Sequence, residues 1–187
     1  MGRWQPDAQQ RLERAAVELF ARQGFAATTV PQIAQEAGLT TRTFFRHFAD
    51  KREVLFGGDE IPRLVTRLLA DAPASLDPMT LIVEGLKAFA GNQFEGRRAE
   101  LRERRAIVRS DEGLRERELR KLDAVREAVR DGLVGRGTEA MTASLLADTS
   151  VTLLHVALDE WLDTDGERPL AEIIPDALQA LRTAIGP

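Results

Sequence analysis

Arg42, Arg46 and His47 stand beside Phe44, Phe45 and Phe48 within one short segment, TTRTFFRHF at residues 40–48. Side chains four positions apart share a helix face, and guanidinium forks in that spacing can bond guanine edges bidentately or grip phosphates. On a helix turning about 100° per residue, Phe44 and Phe48 share one face and Arg42 and Arg46 the opposite one, flanked by Thr43 and Phe45. The two phenylalanines anchor such a helix while the arginines project outward. A short helix of this kind can enter a DNA major groove, where threonine also meets base edges or thymine methyls.

Other chemistry is poorly supplied. The absence of cysteine excludes disulfides, thiolate metal sites and cysteine nucleophiles. The two histidines are far apart, and no HExxH, P-loop or GxSxG pattern occurs. GRGTEA at residues 135–140 fits G-x-G-x-x-A, but no strand precedes it as a dinucleotide site requires. Asp159, Glu160, Asp163 and Asp165 read as solvated carboxylates near a helix end rather than a cation site. The expectation is a chain that is not an enzyme, with no cofactor and no metal.

Several elements must position the arginines. Leu12, Ala15, Ala16, Leu19 and Phe20 recur at helical spacing after a cap at Asp7, and Gly24 ends that helix. Thr29 caps a second helix bearing Val30, Ile33, Ala34 and Ala37, with Pro31 in its first turn. Only Gly38 and Leu39 separate it from Thr40, the cap of a third helix running to about Phe48, so the two helices must cross steeply. Asp50 caps a helix from Lys51, with a break at Gly57 and Gly58 before IPRLVTRLLAD resumes the period. Helices are expected at residues 79–94, 97–109, 114–134, 139–162 and 170–185, and no alternating β pattern appears. The fold class is therefore all-α with about nine helices: a three-helix, helix-turn-helix head over residues 1–56 and a larger helical-bundle body over residues 57–187. Thr28 and Thr29, at the start of the second helix, and Lys51, at the start of the fourth, are placed to meet phosphates.

Charge follows the same division. Residues 1–56 hold eight basic and six acidic side chains, net +2, so the remainder must carry −6 to give the formal −4. With 30% charged residues rich in helix formers, the composition fits a soluble helical protein, and the lack of cysteine fits a reducing cytoplasm. The N-terminus lacks a signal-peptide profile, and no membrane partner is expected, since no apolar run is read as reaching about 20 residues.

TTVPQIAQEAGLTTRTFFRHFADKREVL resembles the DNA-binding signature of TetR-type one-component transcriptional regulators, with a threonine-capped second helix, an alanine-glycine turn, an aromatic third helix ending in His47-Phe48, and Lys51 opening the fourth. The match covers about residues 7–56. It implies a homodimer with a three-helix DNA-binding head and a helical ligand-binding body, often a repressor released by a small molecule. Phe45 departs from the pattern, standing where the family commonly has a tyrosine that bonds a phosphate. His47 is a phosphate contact by resemblance, whereas periodicity alone leaves it equally a structural histidine at the rim of the packed face. The expected DNA-facing set is Thr28, Thr29, Thr40, Thr41, Arg42, Thr43, Phe45, Arg46, His47 and Lys51, on a double-stranded palindromic operator.

In the body, the last two helices carry more apolar surface than outer helices need and are expected to form a four-helix bundle across a two-fold axis. Pocket candidates for an unknown effector are Phe89, Phe94, Met79, Ile107, Met141, His155 and Trp161, though aromatic and methionine side chains at this spacing are more often plain core than a pocket lining. The alternative is a helical dimeric interaction module without specific DNA binding, to which Phe45 lends slight support; steep salt dependence distinguishes the two.

Overall fold

The computed structural model describes residues 8–56, 60–165 and 168–186, and among these every regular element is a helix. Asp7, Gly57 and Gly58, expected as a cap and a break, lie outside the described residues. Ten helices are described where about nine are expected, because α4 (Glu53–Phe56) and α5 (Glu60–Asp71) stand separately. They belong to two compact units.

Unit one holds residues 1–59 and 102–121. In α1 (Ala8–Gln23), Leu12, Ala15, Ala16, Leu19 and Phe20 are buried, as their spacing requires. Thr29 caps α2 (Val30–Glu36) in a reciprocal box: its hydroxyl accepts from Gln32 N at 3.4 Å, while Gln32 Oε1 accepts from Thr29 N at 2.8 Å. The turn to α3 (Thr41–His47) passes through Gly38 at φ +64°, the left-handed region, where an added Cβ would also stand 2.9 Å from the Arg11 guanidinium. Thr40 Oγ1 accepts from Thr43 N at 3.1 Å and caps α3. Asp50 caps α4 by accepting from Arg52 N and Glu53 N, so that helix starts two residues later than expected.

Residues beyond 56 complete this unit's core. Ile107 and Val108 of α7 (Arg98–Ser110) and Leu114 of α8 (Glu112–Gly135) join Leu12, Phe20, Phe44, Phe48 and Leu55 in one buried cluster. A head of four short helices encloses little apolar surface alone, and this added segment supplies the missing wall. Glu53 is buried here, its carboxylate accepting from Arg117 Nη2 and, at 2.9 Å, from Lys121 Nζ.

Unit two holds residues 60–101 and 122–187. Here α6 (Pro78–Gln93), α9 (Ala140–Asp163) and α10 (Leu170–Ile185) pack on one another around Ala90, Ala157, Leu162, Leu170 and Ile174. A second cluster joins Leu69, Leu81, Ile82, Val129, Leu133, Ala143 and Ala147. Gly132 lets α8 approach α5 so closely that an added Cβ would stand 3.1 Å from Leu69 Cβ. Arg136, in the GRG break, donates to the carbonyls of Leu69, Ala72 and Pro73 and so closes the end of α5. By length and composition α9 is apolar enough to cross a membrane, which departs from the sequence expectation. A core helix passes the same test, and Ala143, Ala147, Ser150, Leu153 and Ala157 of α9 are buried within the protein.

Glu139 caps α9 with both oxygens, each accepting from a backbone amide, Met141 N and Thr142 N, at 2.9 Å. Those amides hold its carboxyl below the usual 4.5, so its stabilisation is present above the unfolded value and lost as pH falls through the lower folded one. Circular-dichroism melts are expected to show the wild type losing its advantage over Glu139→Gln as pH falls below the ordinary glutamate value. A constant difference between the two proteins through that fall would remove the cap from the account.

Candidate DNA-binding surface and ligand cavity

On α3, Phe44 and Phe48 are buried with their rings 5.3 Å apart, and Thr41, Arg42, Phe45 and Arg46 are exposed. This is the division that the 100° turn requires. Phe45 is 56% exposed, its ring edge-on to Phe44 at 5.5 Å; an outward phenyl offers an apolar surface of the kind that meets thymine methyls, and no hydroxyl for a phosphate. Thr43 is half-buried, its hydroxyl 3.0 Å from that of Thr40, so both hydroxyls serve the cap first. His47 is half-buried, with Nε2 3.4 Å from Arg46 Nη2. Thr29 is exposed at the start of α2, though its hydroxyl is engaged with Gln32.

Two expected phosphate contacts are placed elsewhere. Thr28 is 1% exposed, its hydroxyl donating to Gly24 O at 2.8 Å and lying 3.2 Å from Gln23 Nε2. It locks the turn between α1 and α2. Lys51 turns inward: its ammonium donates to Phe25 O and Thr28 O, each at 2.7 Å, and lies 4.1 Å from the centre of the Phe25 ring. Burial pushes its pKa below the ordinary lysine value, Asp111 offsets part of that, and Arg52 adds to the lowering. The reason sequence reading missed this is geometric: a helix-opening lysine faces a phosphate or the preceding turn depending on two carbonyls that periodicity does not see. Lys51→Met, which keeps the stem, is expected to cost about 2 kcal/mol in urea unfolding because both carbonyls lose a charged donor. Wild-type stability in that variant would return Lys51 to the phosphate-facing set.

Unit two contains a cavity of about 250 Å³ lined by residues of α5, α6, α8 and α9 together with Phe94. Among the described residues lining it, Ser150 alone has a polar side chain, and its hydroxyl donates to Ala147 O at 2.7 Å. Of the expected pocket residues, Phe89 and Phe94 line it, their rings edge-to-face at 5.3 Å. The others do not. Ile107 belongs to the core of unit one, Met141 is 72% exposed on α9, and Trp161 is buried with the Arg98 guanidinium 4.5 Å over its ring. His155 is exposed, with Nε2 3.5 Å from Asp159 Oδ2. The walls that reasoning missed are aliphatic, Leu64, Val65, Leu86, Val125 and Leu154 among them, and their spacing is that of any core helix.

Residues 13–56 match the model of bacterial regulatory proteins of the tetR family. Over 87 residues the chain is 39% identical to the HTH-type transcriptional regulator TcmR of Streptomyces glaucescens, covering 46% of this chain and 38% of that protein. The chain spans well under half the length of the curated relatives it matches. Among solved structures, NalD of Pseudomonas aeruginosa, the secondary repressor of the MexAB-OprM multidrug efflux pump, superposes with a TM-score of 0.59 at 20% identity, covering 93% of this chain and 94% of that one. FadR of Bacillus subtilis in complex with stearoyl-CoA gives 0.57, also at 20% identity, covering 95% and 99%. At such identities the likeness is one of fold, and it extends over unit two as well as the head. The helix-turn-helix segment of the chain thus matches the tetR family of bacterial regulatory proteins, and the fold of these solved structures is shared along nearly its whole length.

Proposed function

We infer that the protein is a sequence-specific DNA-binding transcriptional regulator of the cytoplasm, acting as a homodimer and as a repressor released when a small molecule occupies the cavity of unit two. The observation that carries this reading is the outward row of Thr41, Arg42, Phe45 and Arg46 on a helix whose reverse face is locked by Phe44 and Phe48. Such a helix is held rigidly enough to present arginine forks to base edges. Dimerisation is supported by Met141, Leu145 and Val156, exposed on α9, and Ile185, exposed on α10, which together make more apolar surface than solvent-facing helices usually carry. Two α3 helices then meet successive major-groove faces ~34 Å apart, or a simple multiple of it, on a palindrome. Selection of bound sequences from random duplex DNA by the purified ligand-free protein tests the reading. Enrichment of a two-fold symmetric site is expected. No enrichment by a folded dimer would favour an interaction module instead.

A further inference from the structure

We propose that the cavity of unit two takes a ligand whose enclosed part is an uncharged aliphatic chain, and that Gly85 sets how much of that chain fits; this rests on reading the cavity as the effector site. The walls supply hydrocarbon contacts almost throughout, from Leu64, Val65, Leu86, Val125 and Leu154, with the Phe89–Phe94 ring pair among them. Ser150 is the exception, and its proton is held by Ala147 O at 2.7 Å, so it presents lone pairs and no donor. Among the described lining residues, a carboxylate, phosphate or carbonyl drawn inside loses its hydration and finds no hydrogen to accept, and an ammonium finds no carboxylate. Such apolar walls offer water almost no hydrogen-bond partners, so an alkyl chain gains dispersion contacts without displacing strongly bonded water.

Two further features give the ligand its shape. Ile61 and Leu68 line the cavity and are also 36% and 43% exposed, which puts an opening along α5. A polar end belongs there, in water. Gly85 lies inside α6, where glycine is less favourable than alanine. A Cβ built on it meets no heavy atom within 4 Å, so the position has room for a side chain and leaves that room to the cavity.

The test uses the full chain and N-phenylnaphthylamine, an uncharged fluorophore, displaced by decanol or by the decanediol with a hydroxyl at each end. Decanol is expected to displace the probe at a concentration at least about tenfold lower than the diol, whose second hydroxyl must be buried without a full set of partners. Gly85→Leu is expected to weaken probe binding at least about tenfold by occupying the space. Leu154→Trp serves as a second filling variant should Gly85→Leu lose its helical circular dichroism. Absence of probe binding, equal displacement by alcohol and diol, or undiminished affinity in a folded filling variant would overturn the proposal. DNA selection with ligand-free protein separates the two readings: enrichment alongside failed displacement refutes the ligand chemistry alone, and displacement without enrichment leaves the cavity chemistry standing while removing the regulator.

Discussion

Glu53→Ala is expected to lower the unfolding free energy by about 3 kcal/mol, because it removes the carboxylate from between two partly buried cations. Glu53 is 6% exposed, and Arg117 and Lys121 both reach it from the segment of α8 that packs in unit one. Deleting one member of such a cluster leaves like charges facing each other, a larger loss than the net worth of the intact cluster. The figure stands at the low end of the usual range because the Arg117 and Lys121 side chains keep 28% and 19% of their exposure. Two comparisons isolate the cause in urea unfolding. Lys121→Met should cost less than Glu53→Ala, since the Arg117 bond to the carboxylate survives, and combining Glu53→Leu with Arg117→Leu and Lys121→Met should recover much of the loss. A loss under about 1 kcal/mol for Glu53→Ala would mean that the carboxylate behaves as an ordinary solvated group.

Arg42→Ala should weaken binding to the selected site by roughly ten- to a hundredfold, the worth of one bidentate arginine–guanine contact, while binding to random DNA changes far less. Arg42 is exposed on the first turn of α3, beyond the cap formed by Thr40 and Thr43, and its removal disturbs neither the Phe44–Phe48 packing nor the capping bonds. Loss of affinity therefore reports on contact rather than on folding, which a melt of the variant checks. The ratio of specific to random affinity, measured at fixed salt, is the deciding quantity. Parallel loss on both DNAs would assign Arg42 to the phosphates and leave Phe45 and Arg46 to carry base recognition.

Much of the head is legible in sequence because its signals are local. A threonine three residues before a glutamine, a glycine between two short helices, and phenylalanines four apart each determine structure within one turn, and Thr29, Gly38, Phe44 and Phe48 take the expected places. Thr28 and Lys51 went astray because their partners are backbone carbonyls of the α1–α2 turn, whose direction depends on tertiary closure. In the body, helix positions are readable from periodicity, and Phe89 and Phe94 line the cavity, yet the other residues named for it do not. Met141 and His155 lie on an outward face of α9 and Ile107 in a different core altogether, whereas most of the cavity wall beyond the two phenylalanines is leucine, isoleucine and valine. Apolar spacing says that a face is covered, and says nothing of whether the cover is a neighbouring helix or a void.

Because residues 102–121 are part of unit one, the reading head is not a cassette that can be cut at a single point in the chain. A graft of residues 1–56 onto a foreign body would arrive without Ile107, Val108 and Leu114 against its core and without the cations that hold Glu53. Transplanting the proposed DNA preference therefore requires carrying two separate stretches of sequence, or confining the exchange to the exposed row of α3. Recombination between relatives faces the same restriction: a crossover after the fourth helix preserves the reading frame of the gene while mismatching the wall of the head, so exchange of DNA specificity by point substitution on α3 is the less disruptive route.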